Sequence, residues 1–136
     1  MKIARIFILL AAVLLLSPLA IGCQSDPPAE SGLTSMPLPQ ALSNGKPTIA
    51  EFGRGTCIPC KQMKPILEEL AKDFEGKLNV VIISIDDYQA LTSQFRISVI
   101  PTQVVFDSEG KELGRHIGLW PKDQIIRILP QLGITD

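Results

Sequence analysis

The sequence predicts an α/β domain in which a central mixed β-sheet is flanked by helices, in the order β-α-β-α-β-β-α. Three observations carry that expectation. Short β-branched runs alternate with segments whose apolar residues recur every three or four positions. The earlier strands are separated by helices, as parallel pairing requires. The last two β-prone runs are separated only by Asp107-Ser108-Glu109-Gly110, a turn that closes an antiparallel hairpin.

Residues 48–52 (Thr-Ile-Ala-Glu-Phe) form the first expected strand, and Gly53-Arg54-Gly55-Thr56 a loop. A helix is expected over 59–74, where Met63, Ile66, Leu67, Leu70, Ala71 and Phe74 share one face. Pro59 suits its first turn, where no N–H is needed. Pro65 lies inside and should kink it, and Gly76 ends it. The continuous run 78–85 reads as a central strand covered on both faces. A short helix is expected over 88–95, strands over 102–106 and 111–117, and a last helix over 122–132 with Ile125, Ile128, Leu129 and Leu132 on its apolar face. His116 reads as a hairpin residue, and Trp120 as a packing residue more than a partner surface. There is no internal repeat.

Composition bounds the function. The 136 residues hold 13 Lys+Arg against 14 Asp+Glu. Residues 1–22 contain 17 apolar side chains and only two charges, Lys2 and Arg5. The remainder is mildly acidic and the size of one small domain. A two-domain enzyme does not fit, and no clustered Lys and Arg suggest a nucleic-acid partner. A monomer is the expected state.

Residues 1–22 read as a secretory signal: a basic start, an apolar run of 11 residues from 6 to 16, and a small-residue exit. The run is too short to cross a hydrocarbon core. Leu19-Ala20-Ile21-Gly22-Cys23 resembles the lipid-attachment box of bacterial lipoproteins, with Ala20 where Leu is more usual. That resemblance implies lipidation of Cys23. An ordinary signal peptide or an uncleaved anchor is the alternative, and all three readings place the domain outside the cytoplasm. Residues 23–39 read as a lipidated, Pro-rich tether holding the domain, 40–136, at the bilayer.

With Cys23 so assigned, Cys57 and Cys60 remain, free to pair with each other or with a partner protein. Across two intervening residues a disulfide constrains the unfolded chain little, so chemistry is the better reading than stapling. A structural zinc site wants four ligands, and the chain adds only the distant His116, so no metal is expected.

Cys57-Ile58-Pro59-Cys60-Lys61 opens a helix that carries Pro65. Ile100-Pro101-Thr102 opens a strand with Pro101 41 residues beyond Cys60, and Gly118 follows the hairpin. This set resembles the thioredoxin family over residues 40–136, and the resemblance implies a thioredoxin-like fold. It implies a nucleophilic Cys57 whose thiol pKa is lowered at the helix start, an effect for which thioredoxins are themselves the standard case. Cys60 would resolve the mixed disulfide. It also implies a cis Pro101, with Ile100 meeting an extended substrate edge-on. Thr56, Ile58 and Pro59 would complete the substrate-facing surface. The family's buried Asp corresponds to Glu51 here, expected to act as a base toward Cys60; an edge-strand carboxylate facing solvent is the plainer alternative. Thr56 replaces the usual Trp, Gly53 an aromatic, and Ile58 a Gly, while the Lys often beside the buried carboxylate falls at Ile82.

The expected function is a membrane-tethered, extracytoplasmic thiol–disulfide oxidoreductase that reduces protein disulfides. It needs no organic cofactor, and a membrane-embedded thiol carrier is the expected electron donor. Two alternatives stand. One is an oxidant of exported proteins, since potentials within this fold run from about −270 to −120 mV. The other is a non-enzymatic Cu(I)-delivery module.

Overall fold

A computed structural model describes residues 37–135. The expected signal over 1–22, Cys23 and most of the expected 23–39 tether lie outside the described residues. The elements are α1 (Leu38–Leu42), β1 (Thr48–Gly53), α2 (Ile58–Asp73), β2 (Asn79–Ser84), α3 (Gln89–Gln94), β3 (Thr102–Phe106), β4 (Glu112–Ile117) and α4 (Lys122–Ile128), with a 3-10 turn Leu129–Leu132. The strand order is β2-β1-β3-β4. β1 pairs with β2 in parallel and with β3 antiparallel, and the β3–β4 hairpin closes the sheet. The mixed sheet and flanking helices are those the sequence predicts.

Side-chain alternation along β1 divides the core. Ile49, with Val80 and Val105, packs under α2 and α4 against Met63, Leu67, Leu70, Ile125 and Leu129. Ala50 and Phe52, with Val81, Ile83, Val104 and Phe106, pack under α1 and α3. Phe95 bridges Phe52 and Phe106, with ring centroids 5.6 and 5.5 Å apart. Each fully buried Leu or Phe contributes about 1.5–3 kcal/mol. The same alternation sends Glu51 to the α2 face.

The structure corrects three expectations. First, β2 is an edge strand among the described residues, not a central one. Its run is apolar because helices cover both faces, and only Ile82 is left 37% exposed. Second, α1 packs on the sheet, so Leu38 belongs to the core and not to the linker. Pro37 precedes the first turn, where a missing N–H costs nothing. α1 is tied down by the Asn79 amide, which donates to the Ala41 carbonyl (3.1 Å) and pairs reciprocally with the Asn44 amide. Third, the last helix changes to a 3-10 turn at Leu129, where Pro130 has no N–H to give the α-helical ladder. Trp120 is buried in the core, its backbone N–H 3.1 Å from Met63 Sδ, as the packing reading expects.

Gly110 joins α1 to the hairpin. Its φ is +78°, and a Cβ there would stand 2.6 Å from the Leu42 carbonyl oxygen. Gly110→Ala therefore combines a left-handed backbone with a backbone clash. It should destabilise the domain by about 2 kcal/mol, read as a lowered urea midpoint with an unchanged slope.

Candidate active site

The site lies where β1 ends and α2 begins. Cys57 is the N-cap of α2, with φ −77° and ψ 120°, and its sulfur accepts the Cys60 backbone N–H at 3.3 Å. The first N–H groups of a helix lack partners within it, and their dipoles sum to a positive end. A sulfur at this position is stabilised as an anion. Pro59 removes one N–H from the first turn at no cost to the helix. The approach is shaped by a turn in which Cys57 N–H donates to the Arg54 carbonyl (3.1 Å). Arg54 is itself tied by two-pronged hydrogen bonds to Asp86, just beyond β2.

Cys57 and Cys60 are joined by a disulfide, with Cα atoms 5.3 Å apart. Cys57 is half-buried, whereas Cys60, one turn into the helix, is buried. A partner sulfur approaching from solvent therefore meets Cys57 first. Thr56, Ile58 and Pro59 are exposed around it, Ile58 to 70%.

The Ile100–Pro101 peptide is cis, as the resemblance implied. The register pairs Thr102 with Phe52, so Pro101 stands one residue further on, at the same sheet end as Gly53. A Cβ on Gly53 would lie 3.3 Å from the Cys60 sulfur and 3.6 Å from Glu51 Oε1. Because Gly53 has no side chain, the Glu51 carboxyl and the Cys60 sulfur share one small space, which opens as a cleft past Ile82. Pro101 is buried and its carbonyl accepts the Gly118 N–H at 2.8 Å; Ile100 is half-buried beside exposed Val99.

Glu51 is 2% exposed, because β1 is an internal strand. The solvent-facing alternative for Glu51 does not hold. Loss of hydration raises its carboxyl from 4.5 to about 7. Its neighbours in register are Ile82 on β2 and Gln103 on β3. Gln103 is fully buried, although in sequence it reads as an ordinary strand position. Gly53 likewise marks a close approach that sequence alone shows only as a missing aromatic. His116 lies outside this space, stacked on Trp120 at 4.8 Å. Among the described residues, no three His, Cys, Asp or Glu side chains gather in a way that could hold a metal ion.

Comparison with known proteins agrees with this geometry. The thioredoxin family model matches residues 33–131. A thioredoxin of Alicyclobacillus acidocaldarius is 37% identical over 93 residues, covering 68% of this chain and 88% of that protein. One from Haemophilus influenzae is 35% identical over 85 residues, covering 62% of this chain and 78% of its own length. Among solved structures, a mutant thioredoxin from Halobacterium salinarum superposes with a TM-score of 0.64 at 26% identity, covering 71% of this chain and 83% of that one. With a redox-linked cysteine pair at the start of α2 and these relatives on either side of it, the chain belongs to the thioredoxin family and is a thiol–disulfide oxidoreductase.

Proposed function

We propose that this oxidoreductase works outside the cytoplasm, tethered to a membrane through Cys23, and that it runs in the reducing direction on protein disulfides. The observation that carries the chemistry is the Cys57 sulfur capping α2 while Cys60 lies sheltered behind it. The Cys57 thiolate attacks a substrate disulfide, forming a mixed disulfide and releasing one substrate thiolate. Cys60 then attacks the Cys57 sulfur, re-forming the intramolecular disulfide and releasing the second substrate thiol. Two electrons pass from the dithiol to the substrate. A membrane-embedded dithiol carrier restores the reduced pair.

Glu51 takes the Cys60 proton in the resolving step. A base working near neutral pH needs a pKa near neutral, and burial brings Glu51 there. Exposed Ile58 and Val99 and the Ile100–Pro101 backbone receive an extended segment of the substrate. The tether and location rest on the 1–22 signal pattern and the Leu19–Cys23 box.

Insulin reduction by the soluble domain, together with equilibration against glutathione, tests the direction. We expect turnover and a potential below about −200 mV. A potential well above that value would favour the oxidant reading, and stoichiometric copper binding without turnover would favour metal delivery. Glu51→Gln should slow resolution of the mixed disulfide by about a hundredfold; a rate unchanged across pH would remove Glu51 from the step. Fatty-acid labelling of the full chain that vanishes in Cys23→Ala tests the anchor.

A further inference from the structure

Glu51 has two cross-strand neighbours. On the β2 side Ile82 offers no polar atom. On the β3 side stands Gln103, directly opposite in an antiparallel pair. Such partners point to the same face, with Cβ atoms about 4.5–5.5 Å apart. Both side chains are buried, Glu51 to 2% and Gln103 to 0% exposure. Among the described residues, neither Glu51 Oε1 nor either polar atom of Gln103 has a hydrogen-bond partner. Leaving a buried polar atom unpaired costs about 1–3 kcal/mol, so an amide and a carboxyl placed face to face would be an expensive arrangement with no purpose.

Their chemistry is complementary in both protonation states. A carboxylate accepts from the amide N–H₂, and a neutral carboxyl donates to the amide oxygen. A half-turn of the amide converts one arrangement into the other. We propose that Gln103 is the positioning residue for Glu51, its side-chain amide bonding the carboxyl in both protonation states, through one water or by a turn of the two side chains toward each other, and holding it toward Cys60. This rests on the reading of Glu51 as the base for Cys60.

The other charged or titratable groups facing this space are few. Cys60, Lys61 and Lys64 come from α2, and Arg54 from the loop. β2 contributes Ile82 and Ser84, neither of which titrates, and His116 of β4 lies beyond Gln103 in the same register row. Lys61, Lys64 and Arg54 are exposed, with Arg54 held by Asp86 and Lys64 near Glu68, so solvent weakens their pull on the carboxyl. That leaves Gln103 as the buried dipole able to bias the carboxyl. Donation to the charged form is the stronger of its two bonds, so Gln103 favours ionisation.

The test is carbon-detected NMR of the Glu51 carboxyl through a pH titration of the oxidised protein. In Gln103→Met, which keeps the volume and loses the amide, proton binding by Glu51 should tighten by about tenfold, the order expected of a hydrogen bond to a charged group. An unchanged or weakened proton affinity would overturn the proposal. The unmutated protein supplies a second readout that needs no variant to fold. The Gln103 side-chain N–H₂ signals should move with the Glu51 transition and stay flat in Glu51→Gln; signals flat in the unmutated protein would also overturn it. Both readouts are taken without substrate. They stand or fall independently of whether Glu51 takes the Cys60 proton, which the turnover of Glu51→Gln decides.

Discussion

Replacing Cys57 with serine is expected to abolish disulfide reduction, lowering insulin turnover by more than about a thousandfold. A hydroxyl at the α2 N-cap keeps the hydrogen bond to the Cys60 N–H, so the fold should be retained. It cannot exchange with a disulfide, because only a thiolate attacks sulfur at a useful rate. Cys60, only 7% exposed, is a poor substitute, since little of it faces an approaching partner disulfide. Cys60→Ser has a different outcome. Cys57 still attacks, nothing resolves the product, and the mixed disulfide with the substrate should accumulate in stoichiometric amount. Mass spectrometry of the two variants after exposure to an excess of disulfide substrate separates them. Trapping by Cys57→Ser instead of Cys60→Ser would reverse the assigned roles.

The second large effect is on stability. Glu51 ionises near 4.5 when unfolded and at about 7 when folded. Between those values the folded carboxyl holds a proton that the unfolded chain has released, so folding takes up a proton. The neutral carboxyl's contribution is complete below about pH 4.5. It falls away as pH rises through 7, and above that the buried charge is carried at full cost. The difference is about 3 kcal/mol. Urea unfolding of the oxidised protein should therefore show stability declining from pH 4.5 to 8 by about that amount more than in Glu51→Gln, where nothing titrates. Parallel pH profiles for the two proteins would mean that Glu51 is not desolvated as its burial requires.

These predictions concern residues that sequence revealed unequally. The order of strands and helices was legible because apolar spacing and turn residues are local signals. Cys57, Cys60 and Pro101 were legible because their chemistry is tied to fixed spacings along the chain. α1 was not: Pro37-Leu38-Pro39 reads as extended linker, and five helical residues are too few to show a period. The edge position of β2 was hidden because a β-branched run looks the same wherever helices cover both faces. Gln103 was hidden for a different reason. Its burial against Glu51 depends on the register between strands more than 50 residues apart, and a shift of one residue would turn it away.

Reduction of the disulfide should leave Cys57 held as an anion where α2 begins. The rate at which reduced protein is alkylated at Cys57, followed across pH, tests it most directly. The helix-start position predicts a midpoint below that of free cysteine, with Cys57 modified ahead of Cys60. A midpoint at the free-cysteine value, with Cys57 no faster than free thiol at neutral pH, would contradict it.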